Sequence, residues 1–224
     1  MTLSVELFCS FRSPYSYLAT ARLAVIVRTY DVEVRPRHVY PQVMRKSALV
    51  AAGNPEWVKY VVRDAPRVAD FLQVPFRWPK PDPLVQDMQT LRLAADQPYI
   101  RRLSCLGEAA SERGRGMAFA TEVFALLWGG GRGWNEGDHL ARAAERAGLD
   151  LAEMDAAIAT EPELFEEKMA RNAADLEAAG HWGVPTMVFE SEPFFGQDRI
   201  DVLLWRLLQT GLEPRREIVG LPPR

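Results

Sequence analysis

Leu3, Val5, Leu7 and Cys9 alternate with Ser4, Glu6 and Ser10, and a period of two marks a strand with one buried face. A Ser-Pro-Tyr-Ser turn at 13–16 ends that run. Beyond it the period changes, because Tyr15, Leu18, Ala19, Arg22, Leu23 and Ile26 recur at helical spacing. The run DVEVRPRHV, residues 31–39, reads as a second strand that Pro36 ends or confines to an edge. Strand, helix and strand in under forty residues make a βαβ unit with parallel strands and a right-handed crossover. From about Pro41 to Gly180 the pattern is mostly helical. Strand character returns in TMVFE and PFFG, which read as a hairpin about a Ser-Glu turn. The run QDRIDVLLWRLLQ reads as a closing helix.

A βαβ start, a helical insertion and a ββα finish is the element order of an α/β thioredoxin-like fold with an inserted all-helical domain. The expected division is 1–40 with 181–211 for the thioredoxin-like part, 41–180 for the insertion and 212–224 for a loose C-terminal tail. A hydrophobic share of 48% in 224 residues supplies a substantial core. The net charge of −3, with arginines scattered among acids, gives no case for nucleic acid. The start MTLSVELFCSF lacks the basic and apolar regions of a signal peptide. No run approaches the roughly 18 apolar residues of a membrane span. Cys9 and Cys105 stand in unrelated contexts and read as reduced packing thiols. The expectation is a soluble cytoplasmic protein.

Several kinds of chemistry find no support. His38, His139 and His181 have no partners at metal-ligand spacing, so no metal site is expected. WGGGRGWNEG lacks the Gly-Lys-Ser/Thr ending of a phosphate loop and reads as a connection between helices. Its Trp128 and Trp134 could wall an apolar pocket, although core packing is the favoured role. No serine has a Ser-His-Asp setting. Ser13 followed by Pro14 is what a helix start favours, an N-cap and a proline at the first helical position. The same geometry places unpaired amides and the positive end of the helix dipole where an anion can sit.

Three motifs carry a family resemblance. FRSPYSYLA at the first helix start, GVPTMVF before the hairpin and FFGQDR at the last helix start resemble the 2-hydroxychromene-2-carboxylate isomerases. Those enzymes belong to the DsbA-like thioredoxin superfamily, beside the kappa-class glutathione transferases. KYVVRDAPRVADFLQVPFRWP and ALLWGGGRGW resemble the family's inserted helices, so the likeness covers nearly the whole chain. It implies glutathione as cofactor, held by Ser13, by Val184 and a cis-Pro185, and by Phe195, Gly196, Gln197 and Asp198. Where redox relatives carry Cys-x-x-Cys, this chain has Ser13 and Ser16. A serine cannot form a disulfide, but its hydroxyl can donate to the thiolate of bound glutathione, whereas Ser16, one turn in, reads as satisfying a backbone group. Val184 would offer its unpaired N–H and C=O to the cysteinyl backbone as an added strand. Gly196 allows close approach, the amides of Gln197 and Asp198 suit the γ-glutamyl carboxylate, and the Asp198 side chain suits its ammonium. Capping and dipole complementarity would also explain Asp198 alone, and they are compatible with the ligand role, which is the favoured reading.

The resemblance also implies a cation and an asparagine for the substrate's carboxylate. Arg45, with Lys46 beside it, and Asn54 match in HVYPQVMRKSALVAAGNPEW, although this loop looks shorter than in the isomerases and a solvated basic face is the alternative. The implied reaction interconverts 2-hydroxychromene-2-carboxylate and a benzylidenepyruvate by reversible addition of glutathione. A kappa-like glutathione S-transferase is the nearest alternative, and a non-catalytic thioredoxin-like binding module is the alternative of another class. Expected partners are glutathione and a small aromatic carboxylate, with neither nucleic acid nor membrane; a homodimer is left open. A disulfide oxidoreductase has no redox pair to work with.

Overall fold

Val5, Leu7 and Cys9 are fully buried on one face of the first strand, as the alternation requires. In the computed structural model, which describes residues 2–45, 55–87 and 92–215, this strand is β1 (Leu3–Cys9), inside a four-stranded sheet. β2 (Val32–His38) pairs with it in parallel and sets His38 opposite Cys9. β3 (Thr186–Phe189) pairs antiparallel on its other side, and β4 (Glu192–Phe195) pairs antiparallel with β3. The order is therefore β2-β1-β3-β4. α1 (Pro14–Thr29) joins β1 to β2 and completes the βαβ unit. Pro36 sits in the edge strand, opposite Leu7, where a missing N–H is tolerated.

The middle of the chain supplies α2 (Gln42–Arg45), α3 (Pro55–Phe71), α4 (Pro98–Glu112), α5 (Gly116–Trp128), α6 (His139–Arg146), α7 (Leu151–Thr160) and α8 (Pro162–Ala178). These helices do not enclose a core of their own. Leu103 and Leu106 of α4 and Phe119, Val123 and Phe124 of α5 share one cluster with Val5, Leu7, Leu18, Leu23 and Met187. Each such side chain stabilises by about 1.5–3 kcal/mol on burial, so the insertion and the sheet hold each other. Phe8 breaks the alternation of β1 and faces the other way, where it packs with Val39 and Val188 on Leu176 of α8. Arg37 seals that face by reaching Glu6 Oε1 at 3.0 Å, Asn172 Oδ1 at 3.0 Å and Asp175.

Three boundaries differ from expectation. The hairpin turn is Glu190-Ser191, not Ser-Glu, and both residues have positive φ, 48° and 67°. A two-residue turn of that hand matches the strand twist, and the register it sets buries Met187 opposite Phe194. The closing helix starts as a 3₁₀ turn, Gln197–Arg199, and becomes α9 only at Ile200–Gln209. The start of the tail is docked rather than loose, because Glu213 C=O accepts from Asp31 N–H and Arg215 N–H donates to Thr29 C=O. No helix among the described residues is long and apolar enough to cross a membrane.

Candidate functional site

The sheet brings the three motifs to one end. β1 runs toward Ser10 and the start of α1, while β3 begins and β4 finishes at the same end, since Phe8 pairs with Thr186 and Thr186 with Phe195. Residues 10–16, the Val184-Pro185 bond and the 195–198 turn therefore meet there. Ser13 is extended and half-buried, and Pro14 opens α1 as expected. Its Oγ accepts from Ser16 N–H at 3.1 Å. The hydroxyl hydrogen has no acceptor among the described residues, so the N-cap bond and donation to a ligand are compatible. The first turn of α1 carries no acidic side chain to neutralise the dipole. Ser16 is fully buried and accepts from Ser10 N–H at 3.4 Å, which is a structural task.

Phe11 anchors the turn from below. Its ring is fully buried, stacked on His38 at 4.8 Å and against Phe124 at 4.8 Å, and its carbonyl accepts from Trp128 Nε1 at 3.0 Å. The His38 ring lies so close to Gly107 that a Cβ there would come within 2.4 Å of it, which accounts for a glycine inside α4. Glu108 Oε1 takes the His38 N–H at 2.7 Å and stands 3.2 Å from Nδ1. Burial by itself would push this imidazole's pKa down, but the nearby Cys9 sulfur and the Glu108 carboxylate outweigh it and raise the pKa to about 10. Burial likewise opposes ionisation of Glu108, and His38 outweighs it, so that carboxyl is held below its usual range. Sequence alone placed His38 in no such pair, because its partner lies 70 residues away.

The Val184-Pro185 peptide bond is cis. Neither Val184 N–H nor Val184 C=O is paired among the described residues. Pro185 C=O accepts from Gly196 N–H at 2.9 Å, which locks the proline loop to the 195–198 turn. Gly196 has φ of 106° and lies against Asp198 Oδ1, so a side chain there would be strained and would push the Asp198 carboxylate aside. The amides of Gln197 and Asp198 have no acceptor among the described residues. Asp198 makes no side-chain cap bond to the 3₁₀ turn or to α9, but it remains an acidic residue in the first turn, and its exposed carboxylate meets Arg199 Nη1 at 2.8 Å. Phe195 is 40% exposed and stacks on His181 at 3.8 Å, with Trp182 beside it.

Two supports of the site were not foreseen. Arg22 donates to Gln197 C=O at 2.7 Å and to Asp201 at 2.5 Å, tying α1 to the turn. An arginine on the apolar stripe of a helix was the available signal. Tyr15 donates to Asp64 Oδ2 of α3 at 2.8 Å; burial first, and then that carboxylate, raises its pKa far above the usual phenol value.

The substrate end is less complete. Arg45 closes α2 with Nε on Tyr40 C=O and Nη2 on Trp182 C=O, both at 2.8 Å, so it is drawn to the residues just before the cis-proline. Its Nη1 is buried and unpartnered. Asn54 and Lys46 lie outside the described residues. Trp128 and Trp134 are each only 2% exposed and belong to the core. No cluster of three or more potential metal ligands occurs among the described residues.

The model of the DSBA-like thioredoxin domain family matches residues 4–207. A 2-hydroxychromene-2-carboxylate isomerase of Sphingobium xenophagum is 27% identical over 214 residues, covering 91% of this chain and 97% of the relative. One of Pseudomonas putida is 26% identical over 210 residues, 89% of this chain and 91% of the relative. A solved 2-hydroxychromene-2-carboxylate isomerase superposes with a TM-score of 0.67 at 22% identity, over 93% of this chain and 96% of the other, which speaks for the fold.

Proposed function

The chain belongs to the DSBA-like thioredoxin domain family, and from that premise we propose that it is a glutathione-dependent isomerase of 2-hydroxychromene-2-carboxylate or a similar unsaturated aromatic oxo-acid. The observation that carries the reading is Ser13, a capping serine with its O–H still available at an uncompensated helix start. The names of its curated relatives favour isomerisation over redox chemistry. The polar groups left unpaired at the site fit glutathione: one hydroxyl donor, the N–H and C=O of Val184, and the amides of Gln197 and Asp198.

When bound, glutathione supplies a thiolate able to add reversibly to an electron-poor double bond and to leave again, as covalent catalysis requires. In this reading Ser13 Oγ donates to the sulfur, and the α1 N-terminus stabilises its charge. Val184 pairs with the cysteinyl backbone as an added strand. The amides of Gln197 and Asp198 take the γ-glutamyl carboxylate, the Asp198 carboxylate takes the ammonium, and the Phe195 ring closes that side. Arg45 keeps Nη1 for a single contact to substrate.

The test is an isomerisation assay with glutathione far below substrate. Many turnovers per glutathione, with none consumed, are expected. A glutathione conjugate that accumulates instead would make the protein a transferase. Neither turnover nor a rise in melting temperature at millimolar glutathione would overturn the reading, because a ligand of the folded state must stabilise it.

Asp198→Ala gives a narrower prediction. Loss of a hydrogen bond to a charged group weakens binding by about 1.5–3 kcal/mol. Isothermal titration should show that loss for glutathione, while the ligand-free melting temperature changes little, because Asp198 makes no cap bond and its pair with Arg199 is exposed. A fall in melting temperature with unchanged affinity would return Asp198 to a structural role.

A further inference from the structure

We propose that Arg12 selects the substrate of this site, exchanging a loose contact with Asp82 for the carboxylate of a flat aromatic acid. The inference rests on the function proposed above. Arg12 directly precedes Ser13, and the Phe11 carbonyl fixes its backbone through the Trp128 indole at 3.0 Å. Its partner is Asp82, with Nη2 to Oδ2 at 3.4 Å and side chains 36% and 43% exposed. A well-seated charge-assisted bond runs about 2.7–2.9 Å, so this one is long. An exposed pair of this kind contributes only about 0–1 kcal/mol.

Asp82 is the fixed member. Its Oδ1 accepts from Leu84 N–H at 2.9 Å, and the adjoining Pro81 carbonyl accepts from Trp134 Nε1 at 2.8 Å. The guanidinium is the member able to change partner. The other arginines at the site are engaged more closely, Arg22 on Gln197 and Asp201, Arg45 on two backbone carbonyls and Arg199 on Asp198 at 2.8 Å. Arg12 can therefore offer the two parallel donors that a carboxylate accepts, whereas Arg45 retains one nitrogen.

The segment that carries Asp82 also carries an aromatic surface. Trp78 is 41% exposed and stands edge-on to Trp128, with ring centroids 5.5 Å apart, and Trp128 is the residue bonded to Phe11. Phe76 backs both rings, 5.4 Å from Trp78 and 5.6 Å from Trp128. A ligand that lays a ring on Trp78 and points a carboxylate toward Arg12 uses both features.

The test compares 2-naphthoate with 2-naphthamide, alike in shape but not in charge, by quenching of tryptophan fluorescence. The parent should prefer the acid. Arg12→Ala should weaken naphthoate about 10-fold or more, the factor for one charged hydrogen bond, and abolish the preference. Asp82→Asn should do the opposite and tighten naphthoate several-fold, while naphthamide and glutathione affinities hold in both variants. A purely structural Arg12–Asp82 pair would make both variants change in the same direction, and that result overturns the inference. Turnover with glutathione but an acid preference untouched by Arg12→Ala would sink this inference alone. An Arg12-dependent preference without glutathione turnover would sink the proposed function and leave this inference standing.

Discussion

Glutamine in place of Glu108 is expected to lower the folding free energy by about 3–5 kcal/mol near neutral pH, the scale of breaking a buried ion pair from one side. His38 is fully buried beneath the turn that carries Ser13, and Glu108 Oε1 faces both its backbone N–H and its Nδ1. Nε2 has no hydrogen-bond partner, and besides Glu108 only the Cys9 sulfur favours the charged imidazole. The pH dependence has a definite sign. His38 is raised from 6.5 to about 10 on folding, so its contribution is complete below pH 6.5 and is lost as pH rises toward 10. In that window the folded state holds a proton that the unfolded state has released, and stability falls with pH by up to about 1.4 kcal/mol per unit. Glu108 is shifted down, so its contribution is present above the ordinary carboxylate pKa and disappears in acid. Glu108→Gln removes the carboxylate's share of that shift and leaves the Cys9 sulfur in place, so the alkaline slope should flatten. Urea unfolding of the parent and the variant at several pH values between 6 and 10 checks this. An unchanged slope would mean that the Cys9 sulfur, not Glu108, holds the proton on His38, and no slope in the parent would mean that His38 is neutral in the folded protein.

The parts of this molecule legible in the sequence are those encoded by near neighbours. Alternation in Leu3–Cys9 and the helical stripe from Tyr15 to Ile26 specify β1 and α1 because each depends on the chain's own period. Ser13-Pro14 specifies the helix start for the same reason. Contacts across long separations were not legible. Phe8 looks like an error in an alternating strand until Leu176 covers it from α8. Gly107 looks like a weak point in α4 until the His38 ring is set against it. The hairpin turn was displaced by one residue because Glu190-Ser191 is not a glycine-rich pair, and its left-handed backbone is imposed by strand register. At the site, Ser13, Pro185 and Phe195–Asp198 stand out by motif. Arg12, Arg22 and Asp64 act through charge on partners 49 to 179 residues away, and local pattern does not reveal such pairs.

That division gives the most informative experiment its form, because Ser13 has a local role and a ligand role in the same atom. As the N-cap, its Oγ accepts from Ser16 N–H, and Ser13→Ala should cost about 0.5–2 kcal/mol of stability. As the donor to a bound thiolate, the same change removes a charge-assisted hydrogen bond of about 1.5–3 kcal/mol, which raises the thiol pKa by roughly one to two units. The second effect does not follow from the first, since the α1 backbone and its dipole remain in the variant. Isomerase activity at neutral pH should fall in step with the thiolate fraction, by about 10-fold for each unit, and should recover as pH rises. Ser13→Cys should go further and change the chemistry. Its thiolate would attack oxidised glutathione, form a mixed disulfide and release one glutathione thiolate, leaving the enzyme blocked until a reductant is added. The deciding measurement is the ultraviolet absorbance of the thiolate in the glutathione complex, titrated for parent and Ser13→Ala. Curves separated by one to two units would assign the hydroxyl to the thiolate, whereas superimposed curves would leave Ser13 a helix cap and require another group to activate the sulfur.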